Sequence, residues 1–100
     1  MKLSKAEKER RKEQKIYACY DYWLNRLEKC YLEDRPYTDF RECFDYISAF
    51  AQGCYLAGGR KWYNRLNARF SLWMEEHRQI KEDHDARMKE KRCLRKDINK

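Results

Sequence analysis

One proline, Pro36, and three glycines, Gly53, Gly58 and Gly59, are the only residues in this 100-residue chain that readily end a helix. Sheets need frequent turns, so helix is the default expectation. The apolar residues agree with it. Ile16, Tyr17, Tyr20, Trp23, Leu24, Leu27 and Tyr31 recur at three- and four-residue steps, the spacing that puts side chains on one face of a helix. A first helix is expected from about Ser4 to Glu33. Its opening turns are almost wholly polar and carry no core face.

Pro36 disfavours helix at Arg35 and breaks the chain there. Asp39, with Glu42 three residues on, reads as a capping box for a second helix over about Asp39 to Leu56. The apolar stripe of that helix is Phe40, Cys43, Phe44, Ile47, Phe50, Ala51 and Cys54, and Gly58 or Gly59 supplies the left-handed residue that ends it. A third helix begins near Arg60, with Trp62, Leu66, Phe70, Trp73 and Ile80 on its inner face, and its pattern can continue to the end of the chain. The expected fold is all-α: a three-helix bundle, or a helical hairpin plus a helix, with long polar helical extensions at both ends. Trp23, Phe44, Leu66 and Trp73 are expected to pack against one another.

Charge divides the chain the same way. Residues 1–15 carry seven Lys/Arg against three acids, residues 16–80 nine against nine, and residues 81–100 eight against five, which gives +4, 0 and +3 and sums to the net charge of +7. A neutral body over residues 16–80 between a basic extension (1–15) and a charged one (81–100) follows. No apolar run is long enough to cross a bilayer, and the basic start "MKLSKAEKERRKEQK" lacks the apolar core of a secretory signal. A cytoplasmic protein with no membrane contact is expected.

Catalysis fails on inventory. Three Ser, one Thr and two His are present, with no GxSxG, HExxH, Walker loop or GxGxxG, so no enzyme activity and no cofactor are expected. Cys19 and Cys30 lie on one predicted helix and Cys43 and Cys54 on the next; each pair is separated by about 16 Å along its axis, too far to bridge or share a metal. The cysteines read as small apolar residues in a reducing compartment, with Cys93 in the polar tail the one open to reagents. His77 and His84, about 10 Å apart along one helix, need ligands from another helix to hold an ion and read as residues at the edge of the core.

Two features point to binding. Arg60, Lys61, Asn64, Arg65, Asn67 and Ser71 fall away from Trp62, Leu66 and Phe70, Arg65 and Arg69 follow Lys61 at helical steps, and no Asp or Glu lies between Asp45 and Glu75. Such a face carries the donors that contact phosphates and base edges, and with the second helix and the double glycine it is loosely a helix-turn-helix; the alternative is a solvated face. Cations at a helix start oppose the helix dipole by roughly 0.3 to 1 kcal/mol each, so Arg60 and Lys61 are expected to meet a phosphate or an acidic patch on a partner. Tyr22, Tyr46 and Leu72 fall outside the core stripes of the three helices, and exposed Tyr is a common anchor in protein interfaces.

In its basic start "MKLSKAEKERRKEQK", its richness in Trp, Tyr and Cys, and its lack of enzyme motifs, the chain resembles the small early accessory proteins of lambdoid bacteriophages, among them the type that modifies the host RecBCD nuclease-helicase. The resemblance is one of style over the whole chain and transfers no functional residue. It implies a non-catalytic helical protein in the host cytoplasm that docks on a larger host nucleic-acid-processing protein of the recombination or defence nuclease-helicase type and modulates it. The alternative is a direct DNA or RNA binder using the basic face at the start of the third helix.

Overall fold

A computed structural model describes residues 3–98, with side chains through residue 93. It contains α1 (Lys5–Leu32), α2 (Tyr37–Gly58), α3 (Arg60–Glu76) and α4 (Arg78–Ile98), and no strand among the described residues. The fold is all-α. Its dimensions, 71 × 22 × 21 Å, make it a rod, and its radius of gyration of 18.2 Å exceeds the ~13 Å of a compact chain this long.

Each helix end has a local cause. Ser4 caps α1, its Oγ accepting from the Glu7 N–H at 3.2 Å. The α1–α2 turn places Asp34 at φ 51°, a left-handed conformation that Asp tolerates better than most residues. The second helix starts two residues earlier than the capping box predicts: Pro36, at φ −60° and ψ 153°, occupies the N-cap, and the Asp39 carboxylate accepts instead from Arg35 Nε at 2.8 Å. Proline's preset φ outweighs the reciprocal cap, while Asp39 still faces the positive end of the helix. Of the two glycines in the second link, Gly58 stays helical and only Gly59 takes a positive φ, 85°.

The expected third helix is two. At His77 the backbone moves to φ −103°, ψ 15°, and the helix breaks for one residue before α4 resumes. No glycine or proline causes this. The Trp73 carbonyl accepts from both the His77 N–H at 3.0 Å and His77 Nδ1 at 2.8 Å, while His77 Nε2 lies 3.1 Å from Glu28 on α1 and its ring stacks on Trp73. The backbone bonds to and from His77 persist, so the interruption is a local change of dihedral angles at a residue whose side chain is held on both ring nitrogens.

Two hairpins share α2. Tyr20, Leu24, Leu27, Cys30 and Tyr31 from α1 pack with Phe40, Cys43, Ile47 and Ala51 from α2 and with Leu66 and Trp73 from α3. Of the four residues expected to form one nucleus, Leu66 and Trp73 belong to this buried set. Trp23 is only partly buried and Phe44 is 37% exposed, its ring meeting Phe70 edge-on at the rim. Their stripe positions are at the margins of the helix contacts.

Packing also continues past Ile80. His84 lies against the rings of Tyr31 and Phe40, and Arg87 grips the α1–α2 turn with bonds of 2.9 to 3.1 Å to the Asp34 carboxylate and 3.0 Å to the Tyr31 carbonyl. The first half of α4 is therefore part of the folded body. A charged segment can pack when its partner is a turn that offers a carboxylate and an unpaired carbonyl.

Candidate functional site

The expected basic face divides when α3 is placed against α1. At about 100° per residue, Arg60 and Arg69 lie about 180° apart around the helix, whereas Lys61, Arg65 and Arg69 follow one flank at four-residue steps. That flank faces α1. Arg69 makes a two-bond clamp on Asp21 at 2.7 and 2.5 Å with its guanidinium 4.5 Å from the centre of the Tyr17 ring, and Arg65 reaches Glu13 at 3.4 Å beside Trp62. Lys61 borders a small cleft with Glu9, Lys12, Glu13 and Trp62. Arg65 and Arg69 thus pair with acids of their own chain, so the expected basic face does not lie as one unpaired surface.

Arg60 and Asn64 do point outward, and neither Arg60 nor Lys61 forms an ion pair among the described residues. The start of α3 has no side-chain cap and no acid in its first turn. Its free N–H groups and the two adjacent cations therefore have no acid of the first turn to offset them.

Tyr22 and Tyr46, by contrast, are brought together by the α1–α2 hairpin. Tyr46 lies flat on Trp23, with ring centres 4.1 Å apart and planes 7° from parallel, and Tyr22 meets Trp23 edge-on at 5.3 Å. The Arg26 guanidinium sits 5.4 Å from the Trp23 ring centre and 5.8 Å from that of Tyr22, and donates to the Tyr22 hydroxyl at 3.1 Å. Tyr22 remains 53% and Tyr46 50% exposed. Four neighbouring side chains thus form one aromatic, cation-edged face. Sequence periodicity placed Trp23 in the core and did not single out Arg26. The available signal was that Arg26 follows Tyr22 by four residues, the spacing at which side chains on a helix touch.

Leu72, exposed as expected, borders a separate cleft between α1 and α3 with Asp21, Arg69, Trp73 and His77. His77 and His84 do not converge on a common ion site: the first faces Glu28, and the second has both ring nitrogens without a hydrogen-bond partner. Among the described residues no three His, Cys, Asp or Glu are grouped to hold a metal, and no helix is long and apolar enough to cross a membrane.

No protein-family model, no curated protein and no solved structure matches the chain.

Proposed function

We propose that this is a non-catalytic helical binding protein that docks on a larger protein through the Tyr22–Trp23–Tyr46–Arg26 face. The observation that supports the reading is the joining of two half-exposed tyrosines by a tryptophan and an arginine into one ordered patch. Single exposed aromatics are ordinary, but Trp, Tyr and Arg in contact are the residue types that dominate binding energy at protein interfaces. Their mutual packing also reduces the side-chain ordering that association costs.

The resemblance to phage accessory proteins makes a host nuclease-helicase of the recombination or defence type the first partner to test. Direct DNA or RNA binding is the rival reading. It is weakened because Arg65 and Arg69 are already paired with Glu13 and Asp21, whose negative charges lie beside any phosphate that would approach them. Arg60 and Lys61 remain as a second contact point, suited to an acidic patch on the same partner.

The test is affinity capture from a nuclease-treated bacterial lysate with the wild-type chain and the Tyr22→Ala/Tyr46→Ala variant side by side. The proposal predicts a protein partner that survives moderate salt with the wild type and is lost with the variant. No protein partner after nuclease treatment, with nucleic acid captured from an untreated lysate and released steeply as salt rises, would favour the rival.

A further inference from the structure

We propose that Cys30 and Cys43 are an oxidisable dithiol site, converted by a low-molecular-weight disulfide of the glutathione class into an intramolecular bond that staples α1 to α2. The argument is independent of the docking reading. The two residues are 13 apart in sequence, on the last turns of α1 and the second turn of α2, and the Pro36 link folds the helices so that their Sγ atoms lie 4.0 Å apart. An S–S bond is about 2.05 Å long, so closure requires each sulfur to move by only about 1 Å.

Both thiols are buried as residues, yet both line an open cleft of about 390 Å³ whose charged rim is Arg26, Lys29, Arg35, Glu33, Asp39 and Glu42. The rim carries three cations and three acids, with Arg35 already paired to Asp39. An oxidant therefore meets no strong electrostatic barrier, and it has a path to the sulfurs. Burial, together with neighbouring Cys43, pushes the Cys30 thiol up to about 11, so reaction is slow at neutral pH and faster in mild alkali.

The chemistry balances without another reactant. One protein thiol loses its proton to solvent, and the thiolate attacks one sulfur of the oxidant, breaking its S–S bond and releasing one small thiol. The second protein thiolate then attacks the sulfur on the protein side of the mixed disulfide and releases the second small thiol. Two electrons pass from the protein pair to the oxidant. Cys19 and Cys93 are exposed, and no thiol partner is seen beside either among the described residues, so they stop at the mixed disulfide. Proximity across the helix pair is what separates Cys30 and Cys43 from them.

The full chain is incubated with glutathione disulfide at mildly alkaline pH, quenched with an alkylating reagent, and mapped by unreduced peptide mass spectrometry. The expected product is a Cys30–Cys43 linked peptide lighter by about 2 Da than the two thiol peptides, with a melting temperature raised by about 10 °C or more and reversed by dithiothreitol. Cys43→Ala abolishes the link; should that variant not fold, the wild-type map decides alone. The proposal is overturned if Cys30 and Cys43 are still recovered alkylated, or only as separate mixed disulfides, when prolonged incubation with glutathione disulfide produces no further change, or if another pair gives the main link.

Discussion

Leu66 and Phe44 make opposite demands on the fold, and comparing their truncation tests the core. Both fit an apolar stripe, and by size alone Phe44→Ala removes more carbon. In the structure Leu66 is completely buried, whereas Phe44 is at the rim against Phe70. Leu66→Ala deletes three carbon groups at about 0.8 kcal/mol each, about 2.4 kcal/mol, and leaves a void bounded by α1 and α2, bringing the cost to about 3–4 kcal/mol. Phe44→Ala opens to water, forms no closed void and forfeits mainly the edge contact and part of one ring's burial, about 1–2 kcal/mol. A chain of this length has roughly 5–15 kcal/mol in total, so the first change consumes a large share. Urea denaturation followed by far-ultraviolet circular dichroism measures both. A cost for Phe44→Ala equal to or above that of Leu66→Ala would show that another set of residues forms the interior.

Three further outcomes follow from the packing of α4 and the start of α3. The Arg87 guanidinium bonded to Asp34 holds its carboxyl below the ordinary 3.8, so the pair contributes stability above that pH and loses it as pH falls below about 4 through the depressed value; Asp34→Asn, which keeps a residue tolerant of the positive φ, should flatten that part of the acid melting profile. His84→Phe should raise stability by about 1 kcal/mol in thermal melts, because it replaces an imidazole with two buried nitrogens that make no hydrogen bond by a ring that suits Tyr31 and Phe40; a loss would show that its approaches to Asp85 at 3.6 Å and Asp34 at 3.9 Å matter more. Arg60→Gln with Lys61→Gln should slightly raise the melting temperature by removing cations from the positive end of α3 while weakening capture of the partner, and unchanged capture would return this segment to a solvated helix start.

Features set within one helix were legible in the sequence. The apolar stripes, the polar opening turns, and the breaks at Pro36 and at the glycine pair all follow from periodicity and backbone preference. Features set between helices were not, because a stripe identifies the inner face and says nothing about what lies opposite its margins. Lys61, Arg65 and Arg69 look outward on an isolated wheel, and only the rotation of α3 against α1 sets Arg65 and Arg69 on Glu13 and Asp21. The His77 break has no helix-breaking residue to announce it, since it depends on Trp73 and on Glu28 from another helix.

Part of the missing information was recoverable. In a tight hairpin, residues at similar distances before and after the turn tend to meet. Cys30 is six before Pro36 and Cys43 seven after, and Tyr55 and Tyr63, each four from Gly59, pack at 5.6 Å. The 16 Å separations within each helix leave out cysteines on facing helices, which that reflection brings together. The same rule brings Trp23 towards α2, where its stacking on Tyr46 makes an exposed face out of a residue assigned to the interior.

That face carries the functional reading, and Tyr46 is the residue whose removal tests it with least damage to the core, being half exposed and stacked on one side only. With the captured partner purified, its affinity for the wild-type chain and for Tyr46→Ala is measured by calorimetry at two salt concentrations, after circular dichroism has shown the variant to be folded. The account predicts about tenfold or greater weakening by Tyr46→Ala, with little dependence on salt. Equal affinity of the folded variant and the wild type would contradict it.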